Sequence, residues 1–286
     1  MINYKRLHSL FTGLLMVSTP LISMASPSTI AIDSLKKDSI GLPIKVTHAE
    51  PLFVDLIRDL GARKGEKEWN VGMGVTDSKF YDRYDALVEY EFAPVNRLGF
   101  EVELPFSFYK ARTTHTEKVP KNHWEGIKLA TQYTFFVNTR LRTSMAVGYI
   151  QEFEIPVFAK WGDESFVSGT VYNPFFVIAK RWGQNWHSLI YTGPMFIHEF
   201  DAHHTYLDYQ LNASIHYMIP RTHNFIGIEV DSEHLKGIDV YTFRPQFKMK
   251  IADRTNLGFV FSIPNSRKQE NFGGFIRLIY EPKSKK

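Results

Sequence analysis

The sequence contains no cysteine, which excludes a disulfide framework, a thiolate zinc site and a cysteine nucleophile while leaving the compartment open. Beyond residue 25 it also lacks any apolar run of the ~18 residues that a membrane-crossing helix needs. Net charge is small: 34 Lys and Arg are interspersed with 30 Asp and Glu, giving +4, and no basic block marks nucleic acid as a partner. Glycine-rich phosphate loops, a His-Glu-x-x-His pair and a Gly-x-Ser-x-Gly elbow are all missing. What is present is 286 residues, 44% hydrophobic and 15% aromatic, enough for one large domain or two small ones.

Residues 1–25 read as an export signal: Lys5 and Arg6 form a basic start, Leu10 to Ile22 is mostly apolar, and Ser23-Met24-Ala25 offers small residues for cleavage. A short membrane anchor is the alternative. Residues 26–68 read as a polar tether followed by one short helix. In that helix Leu52, Phe53, Leu56, Ile57 and Leu60 recur at helical spacing, Pro51 suits the first turn and Gly61 the C-terminal cap. At ~10 residues such a helix is unstable alone, so its apolar stripe must lie against something else.

From Trp69 to the end the period is two. Leu98, Phe100, Val102, Leu104, Phe106 and Phe108 share one face of a strand, and Gly99, Glu101, Glu103, Pro105 and Ser107 the other. The spacing predicts twelve strands at 69–76, 84–93, 98–109, 124–137, 141–151, 170–180, 186–199, 205–218, 223–232, 240–251, 257–264 and 271–281. Short turns alternate with mostly longer loops at 77–83, 110–123, 152–169, 200–204, 233–239 and 265–270.

A soluble sandwich alternates its faces too, but its strands cluster near 5–6 residues, whereas a tilted strand crossing a bilayer needs about 9–11. Most segments here have the longer length. Aromatic residues such as Tyr84, Phe135, Trp186, Phe196 and Tyr280 stand near strand ends on the apolar face, where rings with a polar edge favour the headgroup level. The expected fold is therefore all-β: an antiparallel up-and-down transmembrane barrel of about twelve strands, residues 69–286, in the outer membrane of a Gram-negative cell. Pro174 and Pro245 fall inside strands and disturb the local ladder.

His48-Ala49-Glu50-Pro51-Leu52-Phe53-Val54-Asp55 resembles the signature of a family of exported proteins from the Bacteroidetes lineage, named for a His-Ala-Glu-Pro-Leu-Tyr-Ile-Asp motif. The departures, Phe53 and Val54, are conservative, and similarity continues through Leu56 to Gly72. The resemblance implies an envelope location and a barrel-like body, supplies no catalytic residue and names no ligand.

Candidate chemistry lies first in the lumen, where ionic residues must be hydrated, paired or functional. The second and third strands point Glu89, Glu91, Glu101 and Glu103 inward, and the tenth opposes them with Arg244, Lys248 and Lys250. Asp208 and His216 share the polar face of the eighth, and Arg142 stands on the fifth. One reading is a constriction with a transverse field that orients dipolar solutes. The other is that the acids pair with Lys128, Arg142 or the N-terminal helix and fill the barrel. That helix, with Asp55, Arg58 and Asp59, is a plug or gate candidate, or else a periplasmic or interfacial helix.

His198, His203 and His204 cluster in a loop as a weak divalent-metal candidate without fixed ligand spacing. His187 and Ser188 are adjacent, point to opposite faces and cannot form a base and nucleophile pair. The leading functional expectation is a channel or transporter for small polar solutes, with membrane lipid as surroundings and no cofactor. The alternatives are a lipid-modifying barrel enzyme and a structural or partner-binding envelope protein.

Overall fold

The structure is a computed structural model, and it describes residues 41–54, 56–112, 119–162, 165–200, 203–235, 238–265 and 272–283. The expected export signal, most of the tether and Asp55 lie outside the described residues.

The strands are β1 Lys67–Asp77, β2 Tyr81–Val95, β3 Leu98–Ala111, β4 His123–Trp124, β5 Gly126–Asn138, β6 Thr143–Glu154, β7 Gly169–Trp182, β8 Trp186–Glu199, β9 His204–Met218, β10 Phe225–Leu235, β11 Ile238–Ala252, β12 Thr255–Pro264 and β13 Gly273–Tyr280. Every neighbour pair is antiparallel, and β1 pairs with both β2 and β13, Trp69 opposite Tyr280, so the sheet closes on itself. The result is a twelve-stranded barrel with β4 as an extra short strand on β3. Closure leaves no free edge strand in the ring of described strands, as a bilayer core demands.

The one-residue break that separates β4 from β5 has a chemical cause. Pro105 in β3 has no N–H to give, the register of β3 shifts by one across it, and Glu125 instead donates its own N–H to the Pro105 carbonyl at 2.9 Å. Pro174 and Pro245 act similarly: pairing continues on one side, Tyr149↔Pro174 and Ile228↔Pro245, and lapses on the other, without slipping the register.

Alternation holds around the ring. On β1, Trp69, Val71, Met73 and Val75 are exposed, while Glu68 and Asn70 are buried. On β9, Leu207, Tyr209, Leu211 and Ile215 face out, and Asp208, Asn212, Ser214 and His216 face in. An outer surface of Trp, Val, Phe, Leu and Ile is stable only against acyl chains, and the polar set lines the interior. No described helix is long and apolar enough to cross a membrane.

Connections at the end that holds Lys67 and Tyr280 are tight, and those at the other end are longer but less uniformly so than the sequence implied. The reading of 77–83 and 233–239 as loops is corrected, because β1 and β2, and β10 and β11, run on into these stretches; 200–204 keeps its turn between β8 and β9, with His203 N–H on the Phe200 carbonyl at 3.2 Å and His204 alone joining β9. In 77–83 the charged residues Asp77, Lys79, Asp82 and Arg83 break the apolar alternation, so the strand pairing there leaves no hydrophobic period to read. The segments between β3 and β4, β6 and β7, and β12 and β13 remain long.

The predicted helix over 51–61 is also corrected, since its described residues form bends and turns. Arg58 has φ 81, outside any right-handed helix, and while two short turns bond Arg58 N–H to the Leu56 carbonyl and Ala62 N–H to the Asp59 carbonyl, Leu52, Val54 and Gly61 give their N–H groups to side chains of the barrel.

Candidate functional site in the barrel lumen

The N-terminal segment lies inside the ring and touches it on three sides. Toward β5 to β8 it presents Leu56, Ile57 and Leu60, which pack on an apolar patch of the inner wall made by Ala130, Ala146, Phe175, Val177, Ala179, Leu189 and Tyr191. Toward β10 to β13 it presents Ala49 and Leu52 against Phe225, Val260 and Ile279. The helical spacing read from the sequence thus reflects two separate contacts made by an irregular chain. Gly99 on β3 permits the closest approach: a Cβ there would stand 1.9 Å from the Ile57 carbonyl oxygen.

The third contact is ionic. Arg58, 3% exposed, donates to Glu68 at 2.7 Å, Glu91 at 3.2 Å and Asp59 at 3.0 Å. Lys45 pairs with Asp59 and, at 3.3 Å, with Glu66. Burial alone would lower the pKa of Arg58, but Asp59, Glu68 and Glu91 around it hold it well above its ordinary value.

Backbone groups of the segment are received by wall side chains at each step. Ala49 N–H donates to His187 Nδ1 at 2.8 Å, Leu52 N–H to Gln246 at 2.7 Å, Val54 N–H to Glu229 at 3.0 Å and Gly61 N–H to the Thr134 hydroxyl at 2.9 Å. Gln132 donates to the Arg58 carbonyl at 2.7 Å. His48 meets Ser144 at 3.0 Å, and burial, with His187 and Arg181 adding to it, pushes the His48 imidazole down to about 3.

Beside Arg58 stands a carboxylate group. Glu89, Glu91 and Glu101 place oxygens within 4.8 Å of one another and are buried, and Asn70 donates to Glu89 at 2.6 Å and to Glu91 at 2.8 Å. Arg277 approaches Glu89 at 3.8 Å, and Lys128 holds Glu103 at 3.1 Å. Arg244 pairs with Asp231, donates to Ser262 and lies 3.3 Å from the Phe53 ring centroid. Acids on β2 and β3 thus pair locally with Arg58, Arg277 and Lys128, and Arg244 on β11 pairs with Asp231.

Cavities lie on both sides of the segment. Toward the longer loops one of about 350 Å³ is bounded by Phe53, Arg83, Asp85, Glu103, Arg244 and Arg277, and a neighbour of about 470 Å³ shares Glu125 and Lys128 with it. Toward the tight turns one of about 330 Å³ is bounded by Lys45, His48, Glu50, His223, Lys248 and Lys250.

Of the residues singled out from sequence, Glu89, Glu91, Glu101, Glu103, Asp208, His216 and Arg244 line the interior. Lys248 lies 5.3 Å from the Phe225 ring, and Lys250 sits at the tight-turn rim with Asp253 at 3.8 Å. Arg142 is a correction: it is exposed, with φ 50, in the turn before β6, and donates to the Gly183 carbonyl of the next turn. The strand starts one residue after it, so it never reaches the lumen.

His198 bonds Thr205 at 2.7 Å and His204 stacks on Tyr206, 6.0 Å between centroids. Among the described residues, the Glu89, Glu91 and Glu101 group is the one with three metal-capable ligands so close, and these histidines are outside it. Ser188 bonds Trp182 outside the barrel while His187 is buried inside, as their adjacency required.

Sequence reasoning passed over Arg277, Asn70, Glu229, Asp231 and Gln246 as site residues. The signal was there: Arg277 is a lone cation between Ile276 and Leu278, which period two assigns to the interior. His48 and His187 carried no such signal, because their pairing depends on where the irregular segment runs.

The HAEPLYID-like family model matches residues 44–281. No curated protein matches the chain. Among solved structures it is similar to the COG4313 outer membrane channel from Pseudomonas putida F1, with TM-score 0.61 and 11% identity over 80% of this chain and 100% of that one. It is also similar to the KdgM porin, with TM-score 0.51 and 16% identity over 76% and 99%, a protein also solved in complex with disordered oligogalacturonate. The NanC porin follows with TM-score 0.50 and 8% identity over 75% and 99%. At these identities the likeness is one of fold.

Proposed function

The chain belongs to the HAEPLYID-like family, and from that footing we propose that it is an outer-membrane channel for small polar solutes whose lumen is closed by its own residues 43–62. The observation that carries the reading is the chemistry of the wall behind the segment. Asn70, Gln132, Thr134, Glu229 and Gln246 are buried there, and a wall of this polarity is stable when wet. Release of the segment would join the cavities on its two sides into a hydrated path. Its apolar contacts and its ion pairs are separate, so the segment can detach while the ring of strands stays paired.

In this reading residues 1–25 direct export and are removed, residues 26–42 tether the plug, and both ends of the barrel domain, Lys67 and Tyr280, lie on the periplasmic side with the tight turns. The solute enters from the outer cavity, where Arg83, Lys128, Arg244 and Arg277 alternate with Asp85, Glu103 and Glu125. Such a lining favours hydrated molecules bearing hydroxyl or ionised groups over apolar ones. The likeness to porins and to an outer membrane channel supports the same class of activity.

Protein reconstituted in a planar bilayer is expected to give discrete conductance steps that become frequent in mild urea, which loosens the segment before the barrel. A protein electrically silent under all these conditions contradicts the channel reading.

A further inference from the structure

The tight-turn rim carries arginine at positions where local geometry argues against it. Among the described residues, the non-glycine residues with positive φ are Arg58, Arg97, Arg142, His203 and Arg221. Three of these, Arg97 with φ 71, Arg142 with φ 50 and Arg221 with φ 63, each occupy a different tight turn of the same rim. Glycine and asparagine take that conformation at lower cost than a long side chain does. Arg140, Arg181 and Arg254 stand at the same level.

Two carboxylates at this level, Glu66 and Asp253, are engaged with lysines. Glu66 accepts from Lys45 and from the Arg63 N–H at 3.0 Å, and Asp253 pairs with Lys250. The guanidinium groups of Arg142 and Arg181 bond to backbone carbonyls of Gly183 and Gln184, contacts that orient the cation without neutralising it. The opposite rim differs, since Arg112 there is paired with Asp82 at 2.8 Å and Asp77 at 3.4 Å. Just above the arginines the outer surface exposes Trp69, Trp182 and Trp186, with the Lys180 ammonium 4.9 Å from the Trp182 ring. Tryptophan and basic residues side by side at a strand end mark the headgroup level of a bilayer.

We propose that this ring of arginines is a binding surface for anionic phospholipid headgroups of the leaflet that surrounds the tight-turn end. Each guanidinium offers paired N–H donors to a phosphate diester, and the turns place these residues at one level of the rim. The assignment rests on the barrel lying in a bilayer, which heat-modifiable migration on a gel checks by itself.

The test uses the full protein extracted from membranes, reconstituted in phosphatidylcholine with increasing brominated phosphatidylglycerol. Quenching of Trp182 and Trp186 reports lipid at this rim. The wild type is expected to prefer phosphatidylglycerol over brominated phosphatidylcholine at low salt and to lose the preference in high salt. In the triple variant R97N/R142N/R221N, whose asparagines suit the turns, the preference is expected to fall by roughly fivefold per arginine removed. An R112N variant at the opposite rim is expected to keep it. Equal preference in wild type and triple variant, both heat-modifiable, overturns the proposal. So does abolition of the preference by inorganic phosphate but not by chloride of equal ionic strength, which would indicate a free-anion site. Loss of an acidic soluble partner in the triple variant, with lipid preference unchanged, would likewise reassign the surface.

Discussion

The two halves of the lumen are made by the same alternating strands, yet their polar groups are satisfied in opposite ways. Toward the longer loops several wall groups pair with one another: Ser107 bonds Asp85 and Glu125, Arg83 pairs with Asp85 at 3.1 Å, and Lys128 with Glu103. Toward the tight turns the wall is incomplete without the N-terminal segment, because Gln132, Thr134, His187, Glu229 and Gln246 are bonded to that segment's backbone. The outer half holds an open cavity, and the inner half is a seat. Under the proposed function, closure of the barrel belongs to this segment and leaves the strands untouched.

The largest break in that contrast comes from Arg58→Ala. It leaves Glu68 and Glu91 buried without their shared cation, and an uncompensated buried charge costs about 3–5 kcal/mol. The segment is expected to leave its seat, seen as protease cleavage within residues 43–66 and as frequent conductance steps, while the barrel stays heat-modifiable.

A smaller effect sharpens the same contrast through pH. Seated, His48 is held down to about 3 by burial, His187 and Arg181, whereas released it titrates near its ordinary ~6.5. The released state therefore binds the extra proton, and seating weakens as pH falls from about 6.5 toward 3, by up to about 1.4 kcal/mol per pH unit. Glu50, whose carboxyl burial and Asp59 push up, works in the opposite sense. The comparison with His48→Gln isolates the imidazole: between about pH 7.5 and 5.5, opening is expected to rise roughly tenfold more in the wild type than in the variant. Equal pH profiles would remove His48 from the account.

Strand number, alternation, ring closure and the inward carboxylates of β2 and β3 were legible in the sequence, because a wall with lipid on one side imposes a strict period of two. Leu56, Ile57 and Leu60 were legible as buried but misread as a helix face, since spacing reports burial and not which backbone geometry achieves it. Arg142 shows the limit at strand ends, where one residue decides between lumen and turn. The partners of Arg58 and His48 were beyond reach, because contacts 10 to 96 positions away depend on the path of a chain with no repeating pattern.

The central claim is that residues 43–62 must leave their seat for solute to pass, and the absence of native cysteine allows a clean test. A Cβ built at Gly258 would stand 3.3 Å from Leu52 Cγ, a spacing that suits a disulfide between Leu52→Cys and Gly258→Cys. Planar-bilayer recordings of this double variant are predicted to be silent when oxidised and to recover conductance steps on reduction. An oxidised protein that conducts as fully as the reduced one would contradict the account.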